Sequence, residues 1–304
     1  MNKKHLVKYL LFVFISAYIL EIIASIFAIK NPGGFGKTIF QVMLMAVMFT
    51  PFFGALFAKG NLKGIGFMPK FKGVAYLIPL CWFVPAIVAS LGGAIFYIIF
   101  PDMFDLTGSY IQSQVPEGVN ILDELAKAGI NYKMYIVIAI IQSVTYAPLI
   151  NMLLALGEEV GWRGFLYPEL KKGFSRVKTW IIGGVVWAAF HFPCMLLAGY
   201  EYGTNYIGAP VLGIVTFSIF CVMVGIIEEI IYDKTKCIWY PALFHGAINA
   251  AATVFQLVIN GNEAERIEKL MIFGPAPNGL IAGIPLLIVA IIMAVVVLKK
   301  EKNA

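Results

Sequence analysis

Eight apolar stretches, each about 20 residues or longer, leave this chain few ways to fold. They run approximately over 8–29, 38–58, 73–100, 134–157, 179–198, 207–231, 237–259 and 278–298. In a hydrocarbon layer about 30 Å thick, backbone polar groups must be satisfied inside the chain, so continuous apolar runs of this length cross as helices. The spacing predicts an all-α, polytopic transmembrane helix bundle with about eight membrane-spanning helices. No repeat, low-complexity tract or separate soluble segment interrupts it, so residues 1–304 read as a single integral membrane domain. Composition agrees: 60% of residues are hydrophobic and 13% charged, against about 45–50% and about 25% in soluble domains.

The net charge of +6 is dispersed in short clusters between the spans, which excludes a nucleic-acid surface and leaves the lipid bilayer as the partner. Of the 23 lysines and arginines, 17 fall in segments on the side of the N-terminus and 6 on the other. That asymmetry predicts an integral plasma-membrane protein with both termini cytoplasmic. The first span follows Lys3, Lys4 and Lys8 but lacks a small-residue cleavage site, so it reads as an uncleaved anchor. Glu21 within it is expected to face the bundle. The outer loop 101–133 is acidic, with Asp102, Asp105, Glu117, Asp123 and Glu124. Its Val119, Leu122, Ala126 and Ile130 recur at helical spacing, predicting a short interfacial helix. The four cysteines form no CxxC pair, so neither a disulfide framework nor a zinc knuckle is expected.

The end of the fourth span reads Gly157-Glu158-Glu159-Val160-Gly161-Trp162-Arg163. A charge inside a bilayer costs about 2.5–3.5 kcal/mol on insertion scales, so such a cluster marks a functional site. Glu159 and Arg163 stand at i and i+4 and can pair. Glu158 is rotated about 100° away and reads as a carboxylate without a local partner, free to handle protons. Two further spans bring Trp187-x-x-x-His191 and His245-x-x-x-Asn249. At 1.5 Å per residue, His191 lies about 18 Å and His245 about 13 Å along its helix. Glu158, His191 and His245 are therefore expected to meet in one hollow open to the cytoplasm. Trp187, one turn from His191, would wall it. His245 and Asn249 project together and can hold a developing oxyanion; a glutamate beside a histidine can hold a water and take its proton. Glu228 and Glu229, with no arginine at i+4, read as interfacial, and Cys194 as a packed, inert thiol. The chain has no HExxH, GxSG or GxGD signature for other intramembrane protease chemistries. A transporter reading, with the buried charges as a proton relay, finds no inverted repeat to support it.

Glu158-Glu159-x-x-x-Arg163, Trp187-x-x-x-His191 and His245-x-x-x-Asn249, in that order on three spans, resemble the CAAX protease and bacteriocin-processing family. That family includes the type II CAAX prenyl endopeptidases and the Abi-type proteins linked to bacteriocin self-immunity. The motif-bearing core covers about 134–255; Trp187 stands where the family often has phenylalanine. The resemblance implies an intramembrane glutamate-dependent endopeptidase acting on a membrane-associated protein or peptide, prenylated or not. Glu158 would be the general base, His191 would help hold the water, and His245 and Asn249 would form the oxyanion hole. Glu159 and Arg163 would support the site, or the arginine would contact a substrate carboxylate. Family members are often labelled metalloproteases, and Glu158, His191 and His245 could make a three-ligand Zn2+ site with an open position. The same residues account for catalysis without metal, which ranks higher. The alternative is a non-catalytic bacteriocin self-immunity or peptide-binding membrane protein.

Overall fold

The computed structural model describes residues 1–31, 34–115 and 118–303; Glu117 of the acidic loop lies outside the described residues. Helix α1 (Lys3–Lys30) shows why the bundle belongs in lipid. Tyr9, Val13, Ala17, Glu21 and Ala24 are buried on one face, while Leu11, Ile15, Ile19, Ile22 and Ile26 stay exposed on the other. An apolar stripe left uncovered over a whole helix is what a bilayer covers and water does not.

α2 (Gly34–Val47) and α3 (Thr50–Lys59) return as one passage, with Pro51 in the first turn of α3. α4 (Leu77–Ile99) carries Pro79 in its first turn and Pro85 in its interior. Two short helices follow, α5 (Ser109–Ser113) and α6 (Ile121–Lys127), the latter capped by the Asn120 side chain accepting the Asp123 N–H. α6 covers Leu122 and Ala126 of the expected interfacial helix, but Val119 and Ile130 lie outside it.

The next two passages are bent. α7 (Tyr132–Val144) and α8 (Ala147–Gly161) meet near Pro148 at 51°. A proline cannot continue the hydrogen-bond ladder, and the Val144 carbonyl freed at the break accepts the Trp82 indole N–H at 3.0 Å. A π-turn over Trp162–Leu166 leads into α9 (Tyr167–Lys171). α10 (Arg176–Phe190) and α11 (Phe192–Ala198) meet at 43°, with His191 at the joint and Pro193 just beyond it. α12 (Val211–Thr235), α13 (Trp239–Ala252), the short α14 (Ala264–Leu270) and α15 (Ile284–Lys302) complete the chain.

Among the described residues, five helical stretches are long and apolar enough to cross a membrane, or up to seven if each bent pair is one span. The apolar run of α15 ends at Leu298, before Lys299, Lys300, Glu301 and Lys302. The expectation of about eight spans is thus close, and the architecture is all-helical among the described residues, with one isolated bridge between Phe104 and Ile259.

The bundle has two distinguishable ends. At one, the Asn2 N–H donates to Glu169, Arg176 pairs with Glu301, and the segment after α3 meets the α12–α13 turn through Ile238 N–H to Gly66 O at 3.0 Å. Both termini lie at this end. At the other, Asn260 N–H bonds to Met103 O, Ile207 N–H to Lys269 O, and Tyr202 O–H to Asn278 O. Between the ends, α8 is pinned on two sides. A Cβ on Gly161 would stand 2.3 Å from the Pro51 Cβ of α3, and one on Gly246 of α13 would stand 2.3 Å from Met152 N. Only glycine permits approaches this close.

Candidate active site

α8 carries Glu158 into the bundle, where it is 2% exposed. Its Oε2 accepts two indole N–H groups, Trp187 at 2.7 Å and Trp162 at 3.1 Å. Trp162 stands at i+4, so the expectation of a carboxylate without a local partner is corrected: the next turn of the same helix supplies one. Among the described residues Oε1 has no hydrogen-bond partner, and it is not one of the sealed, unpartnered polar atoms, which leaves it to the cavity. Two fixed donors on one oxygen orient the carboxylate and leave the other oxygen for chemistry.

That cavity encloses about 600 Å³ and is lined by Glu158, Trp187, His191, His245 and Asn249. The structure therefore brings the three motifs to one hollow. His191 reaches it from the α10–α11 joint rather than from the interior of a continuous helix, with its ring against Phe190, Tyr200 and Phe217. Its Nδ1 stands 3.9 Å from Glu21 Oε1, while Glu21 Oε2 accepts the Cys194 N–H. Glu21 is fully buried, facing the bundle, and Cys194 is buried.

Glu159 and Arg163 lie beneath this hollow. Arg163 Nη1 donates to Glu159 Oε1 at 2.8 Å, and His245 Nδ1 shares that oxygen at 2.9 Å. A carboxylate on Nδ1 sets the ring's orientation and turns Nε2 the other way. Arg163 is fully buried, its Nη2 stands 2.6 Å from Glu228 Oε2, and its guanidinium lies over the rings of Trp187 and Tyr167. An arginine enclosed in this way does not reach a substrate carboxylate, so of the two roles expected for it only support of the site remains. The reading of Glu228 and Glu229 as interfacial is corrected too: both are buried, Glu228 against Arg163 and Glu229 against Lys171, Arg176 and the Trp180 indole. Only tertiary packing joins them to the site.

Would-be metal ligands cluster in two sets among the described residues: Glu21, His191 and Cys194, and Glu159, Glu228 and His245. The expected set of Glu158, His191 and His245 is not one of them. In the second set the Arg163 guanidinium already sits against both carboxylates, and Glu158 Oε2 is taken by two indoles. With the arginine there, the set of Glu159, Glu228 and His245 does not fit a resident Zn2+.

The cavity opens away from the termini. Its walls run past Thr253 and Gln256 beyond α13, Tyr200 and Glu201 after α11, and Pro277 and Asn278 ahead of α15. The expectation of a hollow open at the end bearing the termini is thus overturned. Depth along a helix does not reveal which end its neighbours close, and here Trp162, Phe165 and Tyr167 close the near end. At the mouth, Asn278 Nδ2 donates to Glu201 Oε2 at 2.6 Å. Burial pushes the Glu201 carboxyl up to about 7, against the pull of the Asn278 bond.

Residues 136–251, which hold every residue of the three motifs, match the family model for type II CAAX prenyl endopeptidase Rce1-like proteins. This segment is similar to the Rce1-like family. A stretch of 63 residues is 35% identical to a protein of Methanococcus maripaludis named CAAX prenyl protease 2. That stretch is 20% of this chain and spans 23% of the length of the curated relative. The matched segment runs from α7 to α13 and leaves α1–α6, α14 and α15 outside it.

Proposed function

We propose that the chain is an intramembrane endopeptidase that hydrolyses a peptide bond of a membrane-associated protein or peptide. The observation that carries this is the half-occupied carboxylate of Glu158: Oε2 is locked by two indoles and Oε1 is left to a cavity it shares with both histidines and Asn249. Glu158 Oε1 takes a proton from a water held with His191, and the resulting hydroxide attacks the scissile carbonyl carbon. Negative charge then gathers on the carbonyl oxygen. The Asn249 amide donates to it, and so does His245 Nε2 in the imidazolium form, whose Nδ1–H is already given to Glu159. As the C–N bond breaks, the proton held on Glu158 passes to the leaving amine. The cavity volume of about 600 Å³ lies within the about 300–1,000 Å³ usual for a ligand site and admits a short stretch of peptide.

The test is cleavage of a prenylated CAAX peptide and its unprenylated counterpart by purified protein, which the name of the similar archaeal protein makes the first substrates to try. Asn249→Ala removes one oxyanion donor and is expected to lower kcat about 10²–10³-fold with little change in KM. A rate unchanged by Asn249→Ala removes that residue from the oxyanion hole.

A further inference from the structure

The hollow that holds Glu158 is sealed on one side. Between it and the end bearing the termini lie Trp162, Arg163, Phe165, Leu166 and Tyr167, all buried. Arg163 is held there by Glu159 and Glu228. No path for a peptide runs through such a floor. On the other side the lining continues for about two turns of α13 and its extension, from Asn249 to Gln256, about 10 Å at 1.5 Å per residue. It ends among the connections 199–210 and 271–283, which meet each other through Tyr202 and Asn278 at the end opposite both termini.

Charge assigns the compartments. The segments at the sealed end hold 17 of the 23 lysines and arginines, and those at the open end hold 6. Arg163 is the one residue of the larger group that the structure places in the protein interior as a fully buried ion pair, and removing it leaves the bias intact. Basic segments flanking spans are retained in the cytoplasm. The sealed end is therefore the cytoplasmic one.

We propose that the catalytic hollow opens on the extracytoplasmic side, and, resting on the endopeptidase reading above, that its substrate is a membrane-anchored polypeptide presenting the scissile segment outside the cytoplasm. A lipid-modified tail confined to the cytoplasmic surface would meet the closed floor. The side chains that a substrate first encounters are Glu201 and Asn278 at the mouth, then Gln256, then Asn249 and His245.

Single added cysteines test the orientation without any need for turnover, because the four native cysteines are buried. Thr204→Cys and Glu265→Cys stand exposed at the open end, and Lys63→Cys stands exposed at the sealed end. Treated with a membrane-impermeant maleimide, intact cells are expected to label the first two and to label Lys63→Cys only after permeabilisation. Labelling of Lys63→Cys in intact cells, or protection of both Thr204→Cys and Glu265→Cys, overturns the orientation and leaves the peptidase reading standing. The substrate is tested by mapping new peptide termini in cells expressing the wild type against cells expressing Glu158→Gln. Wild-type-dependent termini are expected in extracytoplasmic segments; termini confined to cytoplasmic segments overturn the substrate class. If the labelling comes out as expected and no terminus depends on Glu158, it is the peptidase reading, and the substrate with it, that fails.

Discussion

Glu158→Gln is expected to lower peptide cleavage by about 10²–10⁴-fold, the range general-base catalysis contributes, while the protein inserts and melts as the wild type does. The two indole N–H groups of Trp162 and Trp187 decide how the glutamine sits. Both are donors, so the amide must turn its oxygen toward them and its NH2 toward the cavity. An amide nitrogen there donates hydrogen bonds and takes no proton, so water is held but not activated. The substitution keeps side-chain size and both indole bonds, and it removes a charge from a site 2% exposed, so no loss of stability accompanies it. The readouts are kcat on the peptide pair and the thermal midpoint in detergent. Wild-type turnover by Glu158→Gln removes the glutamate from the chemistry; a collapsed midpoint shows a structural role instead.

The legible and illegible parts of this site divide along one physical line. Contacts within a helix could be read from spacing: Glu159 and Arg163 are one turn apart and pair at 2.8 Å. The same rule places Trp162 one turn from Glu158, but an indole in an apolar run reads as packing rather than as the hydrogen-bond donor to Oε2 that it is. Hydropathy marked the passages, because lipid exposure demands an uncovered apolar face such as that of α1. The bend near Pro148 follows from the proline itself, which cannot continue the ladder, whereas the bend at His191 leaves no mark in hydropathy. Glu228 reads as interfacial in the sequence because its partner, Arg163, lies on another helix. The direction of the cavity is illegible for the same reason: a floor made of Phe165 and Tyr167 is a property of packing among helices.

The second large effect is on stability. Arg163→Ala is expected to destabilise the folded protein by about 3–5 kcal/mol, the cost of breaking a buried ion pair by removing one partner. The guanidinium touches Glu159 Oε1 and Glu228 Oε2 at once, and all three side chains have no exposed surface. Alanine leaves two carboxyl groups facing a void in the membrane interior and strips the Trp187 and Tyr167 rings of the cation above them. Arg163→Lys is a poor rescue, since one ammonium cannot make the two-pronged contact that a planar guanidinium makes. Glu228→Gln tests the cause. In the Arg163→Ala background it removes one uncompensated carboxylate and should recover part of the loss, whereas in the wild-type background it removes a contact and should cost stability. The difference between those two effects is the coupling energy, expected within about 0.5–3 kcal/mol for residues in direct contact. Unfolding in mixed detergent micelles, followed by tryptophan fluorescence in the four variants of the cycle, measures it. A coupling near zero would mean that Arg163 supports the floor by its bulk alone, and the ion pair would lose its place in the account of how Glu159 is held against His245.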